Sequence, residues 1–194
     1  MIYFVGVFLC LAILYILSLK GRTGHPGTKD LMNWRYTHRG LYSADAPENS
    51  IAAFRRAIEN GYGIEFDVHL LSDGELAIIH DSLLERITGK PGRVEDLTAA
   101  DLPNYRLNGT TETIPLFSQL LEENRGRVPL IVELKTHGGN AAALTREVCR
   151  QLEGYSGAYC LESFDPRCIR WLKVNRPELI RGQLSENWLK TTFR

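Results

Sequence analysis

Gly63-Ile64-Glu65-Phe66-Asp67-Val68 is the stretch on which the reading of the fold turns. In a strand, residues two apart share a face, so Glu65 and Asp67 project together. Ionised side chains among aliphatics are costly unless they are paired or bound to a metal. A second stretch, Pro129-Leu130-Ile131-Val132-Glu133-Leu134-Lys135, repeats the pattern and puts Glu133 and Lys135 on one face. Three carboxylates that meet in space point to a hard divalent cation held by oxygen. His38, in Thr37-His38-Arg39-Gly40, and His80, in Ile78-Ile79-His80-Asp81, each sit just past a strand-like run. Together these residues have the character of a metal-assisted hydrolase site.

Outward from that stretch, strand-like and helix-like segments alternate. Trp34–His38 reads as a first strand. Asn49 or Ser50 caps a helix to about Glu59, with Ile51, Phe54, Ala57 and Ile58 at helical spacing. Ile64–His69 is the second strand, Ser72-Asp73-Gly74 a turn, and Leu76–Ile79 a third strand. An irregular stretch then runs from Asp81 to about Thr113. A helix starts near Pro115, and Leu130–Leu134 reads as a strand buried on both faces. Ala141–Leu152 is helical, Ala158–Ser163 a strand, Pro166–Asn175 a helix and Leu179–Leu184 a last strand. Such alternation implies a parallel sheet, open or closed into a barrel. The polar residues fall near the C-terminal ends of the strands, where both architectures place active sites.

The chain has 194 residues, enough for one domain with a real core. Its 23 Lys and Arg balance 23 Asp and Glu, which argues against a nucleic-acid binder. Cys10, Cys149, Cys160 and Cys168 form no CxxC pair and no zinc-type spacing, so they read as reduced structural thiols.

Ile2–Leu19 carries no charge. At about 1.5 Å per residue it covers roughly 27 Å, close to the thickness of a bilayer core. No basic residue precedes it and no small-x-small cleavage site follows, so residues 1–20 read as an uncleaved transmembrane anchor rather than a signal peptide. Lys20, Arg22, Lys29 and Arg35 follow the run, which places the remainder on the cytoplasmic side of a cell membrane. Residues 21–32 read as a linker.

The ordered set His38-Arg39-Gly40, Pro47-Glu48-Asn49-Ser50, Glu65-Phe66-Asp67-Val68, Ser72-Asp73-Gly74, His80-Asp81 and Glu133-Leu134-Lys135 resembles the glycerophosphodiester phosphodiesterases. The resemblance covers about Trp34 to Leu184 and implies a (β/α)8 TIM-type barrel over residues 33–194. About six strands are found, so the barrel is expected to be C-terminally incomplete. By the same resemblance Glu65, Asp67 and Glu133 are metal ligands for Ca2+ or Mg2+. His38 and His80 are the catalytic acid–base pair, Arg39 and Lys135 contact the substrate phosphate, and Glu48 lies nearby. Asn49 is expected to order its loop and cap the helix.

The implied activity is hydrolysis of glycerophosphodiesters, small-molecule substrates, to sn-glycerol 3-phosphate and an alcohol. The alternatives are a phospholipase-D-like activity on lysophospholipids and a non-catalytic membrane-tethered remnant. Chemistry agrees with the first. A guanidinium matches two phosphate oxygens, and imidazoles titrate near working pH. His38 is expected as the base and His80 as the acid. Asp81 either orients His80 or caps a loop. Glu162 and Asp165 either line the site or, for Asp165, cap the helix that begins at Pro166. His25, His69 and His137 are expected to have no catalytic part.

Overall fold

The computed structural model describes residues 6–11, 13–14 and 25–185. Helix α1 (Thr28–Met32) leads to strand β1 (Tyr36–His38), helix α2 (Ile51–Glu59), and strands β2 (Gly63–Leu70) and β3 (Leu76–Ile78). Helices α3 (Glu85–Thr88) and α4 (Phe117–Asn124) come next, then β4 (Leu130–Leu134), α5 (Ala141–Gln151), β5 (Tyr159–Ser163), α6 (Pro166–Asn175) and β6 (Arg181–Gln183).

The sheet runs β1-β2-β4-β5-β6, with every neighbour along that path parallel. Strand β3 departs from the expected pattern. It folds back antiparallel on the end of β2, with Val68 opposite Ile78. The reason is the connection: Ser72-Asp73-Gly74 is too short for a crossover, which takes a dozen residues or more. Only five strands therefore follow the barrel direction, and β1 and β6 end the sheet as two unjoined edges among the described residues.

One face of the sheet is covered by helices. Ile64, Phe66, Val68, Leu130, Val132, Leu134 and Leu161 bury against Phe54, Phe117, Leu120, Leu144, Val148 and Leu172. Phe66 is the pivot. Its ring lies 5.8 Å from that of Phe54, edge-on, and 5.7 Å from that of Phe117. Aromatic pairs at such distances add about 0.5–1.5 kcal/mol each beyond burial. Locking Phe66 toward the helices commits its neighbours Glu65 and Asp67 to the opposite face. Strand β4 was expected to be buried on both faces, yet Ile131 is only half-buried, because that side belongs to the polar face.

The stretch from Asp81 to Thr113, irregular in sequence, has a core of its own. Leu71, Ala77, Ile79, Leu84, Ile87, Val94, Leu102, Leu107 and Ile114 cluster beneath it, held by α3 and by single turns at Val94–Asp96 and Leu102–Asn104. Part of the expected linker is also ordered. Residues Thr28–Met32 form α1, whose Leu31 carbonyl accepts a bond from the Tyr36 hydroxyl at 2.9 Å.

Most of the expected anchor, residues 1–20, lies outside the described residues. Those described there, 6–11 and 13–14, are helical and exposed. No helix among the described residues is long and apolar enough to cross a membrane.

Candidate active site

Two backbone strains open the site. Arg39 (φ 63°) and Asn49 (φ 57°) both adopt the left-handed conformation that side-chain-bearing residues usually avoid. The Arg39 N–H donates to the Glu65 carbonyl at 2.9 Å and faces the Glu65 carboxylate at 3.2 Å. The Asn49 N–H closes the loop by donating to the Arg39 carbonyl at 2.9 Å. Gly40 (φ 81°) then lets the chain pass α2, where a Cβ would lie 3.0 Å from Ala53. Such strain is held where surrounding contacts over-determine it, commonly at functional sites.

Sequence reasoning offered Asn49 or Ser50 as the helix cap. Ser50 is the cap, accepting from the Ala53 N–H at 3.1 Å. Asn49 is instead buried and donates its amide to Asp67 Oδ2 at 2.9 Å.

Glu65, Asp67 and Glu133 converge. Each offers an oxygen within 4.8 Å of the others. Asp67 is fully buried and Glu133 nearly so, although both carry a carboxylate. Lys135 reaches over both, with its ammonium 3.1 Å from Asp67 Oδ1 and 2.7 Å from Glu133 Oε1. Neither oxygen accepts a well-aligned hydrogen bond, even with the ammonium this near. Hard oxygen donors, converging and incompletely satisfied, are the donor set that suits a divalent cation such as Ca2+ or Mg2+.

The electrostatics follow from burial and crowding. Burial, and then the Asp67 charge, push Glu65 up to about 8. Burial raises Glu133 against the opposing pull of Lys135. Burial works the same way on Asp67, but the Lys135 charge and the Asn49 amide outweigh it and hold that carboxyl low. Burial would discharge Lys135, yet Asp67 and Glu133 keep it firmly charged.

His38 ends β1 and is exposed, with Nε2 3.8 Å from Glu65 Oε2. Partial burial, then the Arg39 charge, lower its pKa. Arg39 donates to Glu48 Oε1 at 2.9 Å and places its Nε 3.7 Å from Asp67. His80 shares a cleft of about 290 Å3 with Glu133, Lys135, Ser163 and Phe164. Its Nδ1 lies 2.6 Å from Asp81 Oδ1. Asp81 therefore orients the ring, the first of its two expected roles. All eight sequence-selected residues thus gather around the middle of β2 and the end of β4. Glu162 pairs in register with Glu133 on the same face. Asp165 caps α6, accepting from the Arg167 N–H at 2.9 Å.

Three residues that support the site were not placed there by sequence reasoning. His69 is buried, with Nδ1 2.8 Å from Glu95 and Nε2 3.2 Å from the His80 carbonyl. Burial alone would raise Glu95, but bonds from His69 and Ser82 hold it at about 2. Arg86 binds both Glu48 and Asp81. Only the alternation of β2 hinted at His69, by placing it on the face of Glu65 and Asp67.

Residues 38–155 match the model of the glycerophosphoryl diester phosphodiesterase family.

The chain belongs to the glycerophosphoryl diester phosphodiesterase family.

Among family relatives, the chain is 35% identical over 130 residues to a glycerophosphodiester phosphodiesterase of Bacillus altitudinis, covering 62% of this chain and 52% of that protein. It is 30% identical over 161 residues to mouse glycerophosphodiester phosphodiesterase 1, covering 78% of this chain and 48% of the relative. The chain thus spans about half the length of these two family members. Solved structures agree on the α/β, TIM-barrel-like fold. An Oleispira antarctica phosphodiesterase in complex with the product sn-glycerol-3-phosphate superposes with a TM-score of 0.72 at 26% identity, over 81% of this chain and 70% of that one. A glycerophosphodiester phosphodiesterase from Parabacteroides distasonis gives 0.66 at 28% identity, over 78% and 66%.

Proposed function

We propose that this chain hydrolyses glycerophosphodiesters to sn-glycerol 3-phosphate and an alcohol. The observation that carries the reading is the trio Glu65, Asp67 and Glu133, converging within 4.8 Å in a chain of this family. These residues would hold the divalent cation, Ca2+ or Mg2+. When bound, the cation would supply positive charge to offset the negative charge that builds on the phosphoryl oxygens. Arg39 and Lys135 bind the phosphate from the protein side, Arg39 through its planar donor edge and Lys135 as a point charge. Glu48 fixes the Arg39 guanidinium.

His38 takes the proton from the attacking hydroxyl or water. Its lowered pKa favours the neutral ring that a base requires. His80 gives a proton to the leaving alkoxide from Nε2, since Nδ1 is engaged by Asp81. The test is release of glycerol 3-phosphate from glycerophosphocholine with calcium or magnesium supplied. Release that chelation abolishes supports the reading, and no release with either ion contradicts it.

A second substrate reading has its own observation. Half-exposed Phe164 lines the His80 cleft, and half-exposed Leu83 lines a neighbouring cavity that also includes His80. Apolar side chains there suit an alkyl-bearing leaving group, as in a lysophospholipid. Comparing turnover of a lysophospholipid with that of glycerophosphocholine separates the two.

We also propose that residues 1–20 anchor a catalytic unit, residues 33–194, to the cell membrane with that unit in the cytoplasm. The uncharged run Ile2–Leu19 and the basic residues after it support this reading. Fractionation of a tagged chain before and after removal of residues 1–20 tests it.

A further inference from the structure

Arg86 lies outside every motif that marked the site, yet it joins the site's two halves. Its Nη2 donates to Glu48 Oε1 at 2.6 Å, across 38 residues of sequence. Its Nε donates to Asp81 Oδ2. The same Glu48 oxygen accepts from Arg39, and the other Asp81 oxygen faces His80 Nδ1. Arg39, Glu48, Arg86, Asp81 and His80 therefore form one line of alternating partners, running from a phosphate-binding arginine to a histidine that transfers protons.

Glu48 lies on the loop after β1 and Asp81 on the loop after β3, so nothing within either loop fixes one carboxylate relative to the other. A guanidinium can, because its donors form a rigid planar fork with two usable edges. A lysine presents one point charge and cannot span both acceptors in the same way. Among the described residues Asp81 Oδ2 has no hydrogen-bond partner other than Arg86. Without Arg86 the carboxylate is free to turn away from His80.

We propose that Arg86 is a positioning residue. It fixes Asp81 so that the His80 ring keeps its proton on Nδ1 and presents Nε2 to the cleft, while it holds Glu48 against Arg39. The proposal rests on the hydrolytic reading for its consequence in turnover, but its structural content does not. The Arg86 side chain is 47% exposed, and ion pairs that open to water add little to folding stability. Its loss is therefore expected to leave the fold intact and to disorder the site.

The test compares the wild-type chain with Arg86→Ala, Arg86→Gln and Arg86→Lys. Long-range proton–nitrogen spectra of labelled histidine report the tautomer of the neutral His80 ring. The wild type should show the Nδ1–H form, Arg86→Ala and Arg86→Gln a mixture of both forms, and Arg86→Lys an intermediate mixture, all with an unchanged melting temperature. With cation and glycerophosphocholine, kcat should fall about 10- to 100-fold in Arg86→Ala, the range for residues that orient a site side chain. In an Asp81→Asn background the same substitution should add little. An unchanged tautomer population in folded Arg86→Ala and Arg86→Gln proteins would overturn the proposal. If the wild type shows no turnover, the hydrolytic reading falls while the spectra still decide the role of Arg86.

Discussion

The ammonium of Lys135 lies 2.7 Å from a carboxylate oxygen of Glu133, within the cluster that suits a divalent cation. A cation bound there would share one acidic pocket with the ammonium, and the two would repel each other. Lys135→Met should therefore tighten binding of Mn2+ as a spectroscopic probe. It should also slow glycerol 3-phosphate release, by about 100-fold if the ammonium stabilises charge in the transition state. Metal titration beside steady-state kinetics separates the two effects. A variant that binds metal more weakly would show that Lys135 organises the carboxylates rather than competing for them.

The two histidines stand on different supports. His38 is exposed at the end of β1, whereas His80 is braced by Asp81 and by His69 beneath its carbonyl. His38→Ala and His80→Ala should each lower kcat by about 100- to 10,000-fold, the range for loss of a general acid or base. Far-ultraviolet circular dichroism should show both variants folded. A fully active double variant would dismiss the pair.

Asn49 bears on stability as well as on the site. Asn49→Ala removes a bond to buried Asp67 and leaves a side chain at positive φ. The loss should be about 2–4 kcal/mol in urea unfolding of metal-free protein, combining a charged hydrogen bond with backbone strain. Asn49→Gly loses the bond but relieves the strain, so it should cost less. Equal losses would show that the backbone conformation at Asn49 carries no strain.

Glu95 governs an acid limb. Its folded pKa, about 2, lies below the ordinary value of 4.5. A depressed carboxyl adds stability that is fully present above the ordinary value and disappears as pH falls through the folded one. Glu95→Gln keeps an acceptor for His69 and loses the charge. Urea midpoints compared near neutrality and at about pH 3 should thus drop less in the variant than in the wild type. Parallel drops would remove Glu95 from the acid response.

Much of this was legible in the chain. Leu130–Leu134 and Pro166–Asn175 have the bounds that apolar content and the Asp165-Pro166 start predict. The carboxylates were legible because strand alternation is local and leaves Glu65 and Asp67 no other face. The direction of β3 was available in its short turn, but strand–helix alternation elsewhere favoured a parallel reading. The cluster beneath residues 81–113 was not legible, since single turns and bridges carry no sustained period. Arg86 and the His69–Glu95 pair depend on contacts 38 and 26 residues apart, which no local spacing encodes.

The central claim is that Glu65, Asp67 and Glu133 hold one divalent cation. Calorimetric titration of Mg2+ and Ca2+ into metal-free protein, set beside Glu65→Gln, Asp67→Asn and Glu133→Gln, tests it most directly. One binding event per chain is expected in the wild type, with weakened or lost binding in each variant. Binding that persists unchanged in all three variants would contradict it.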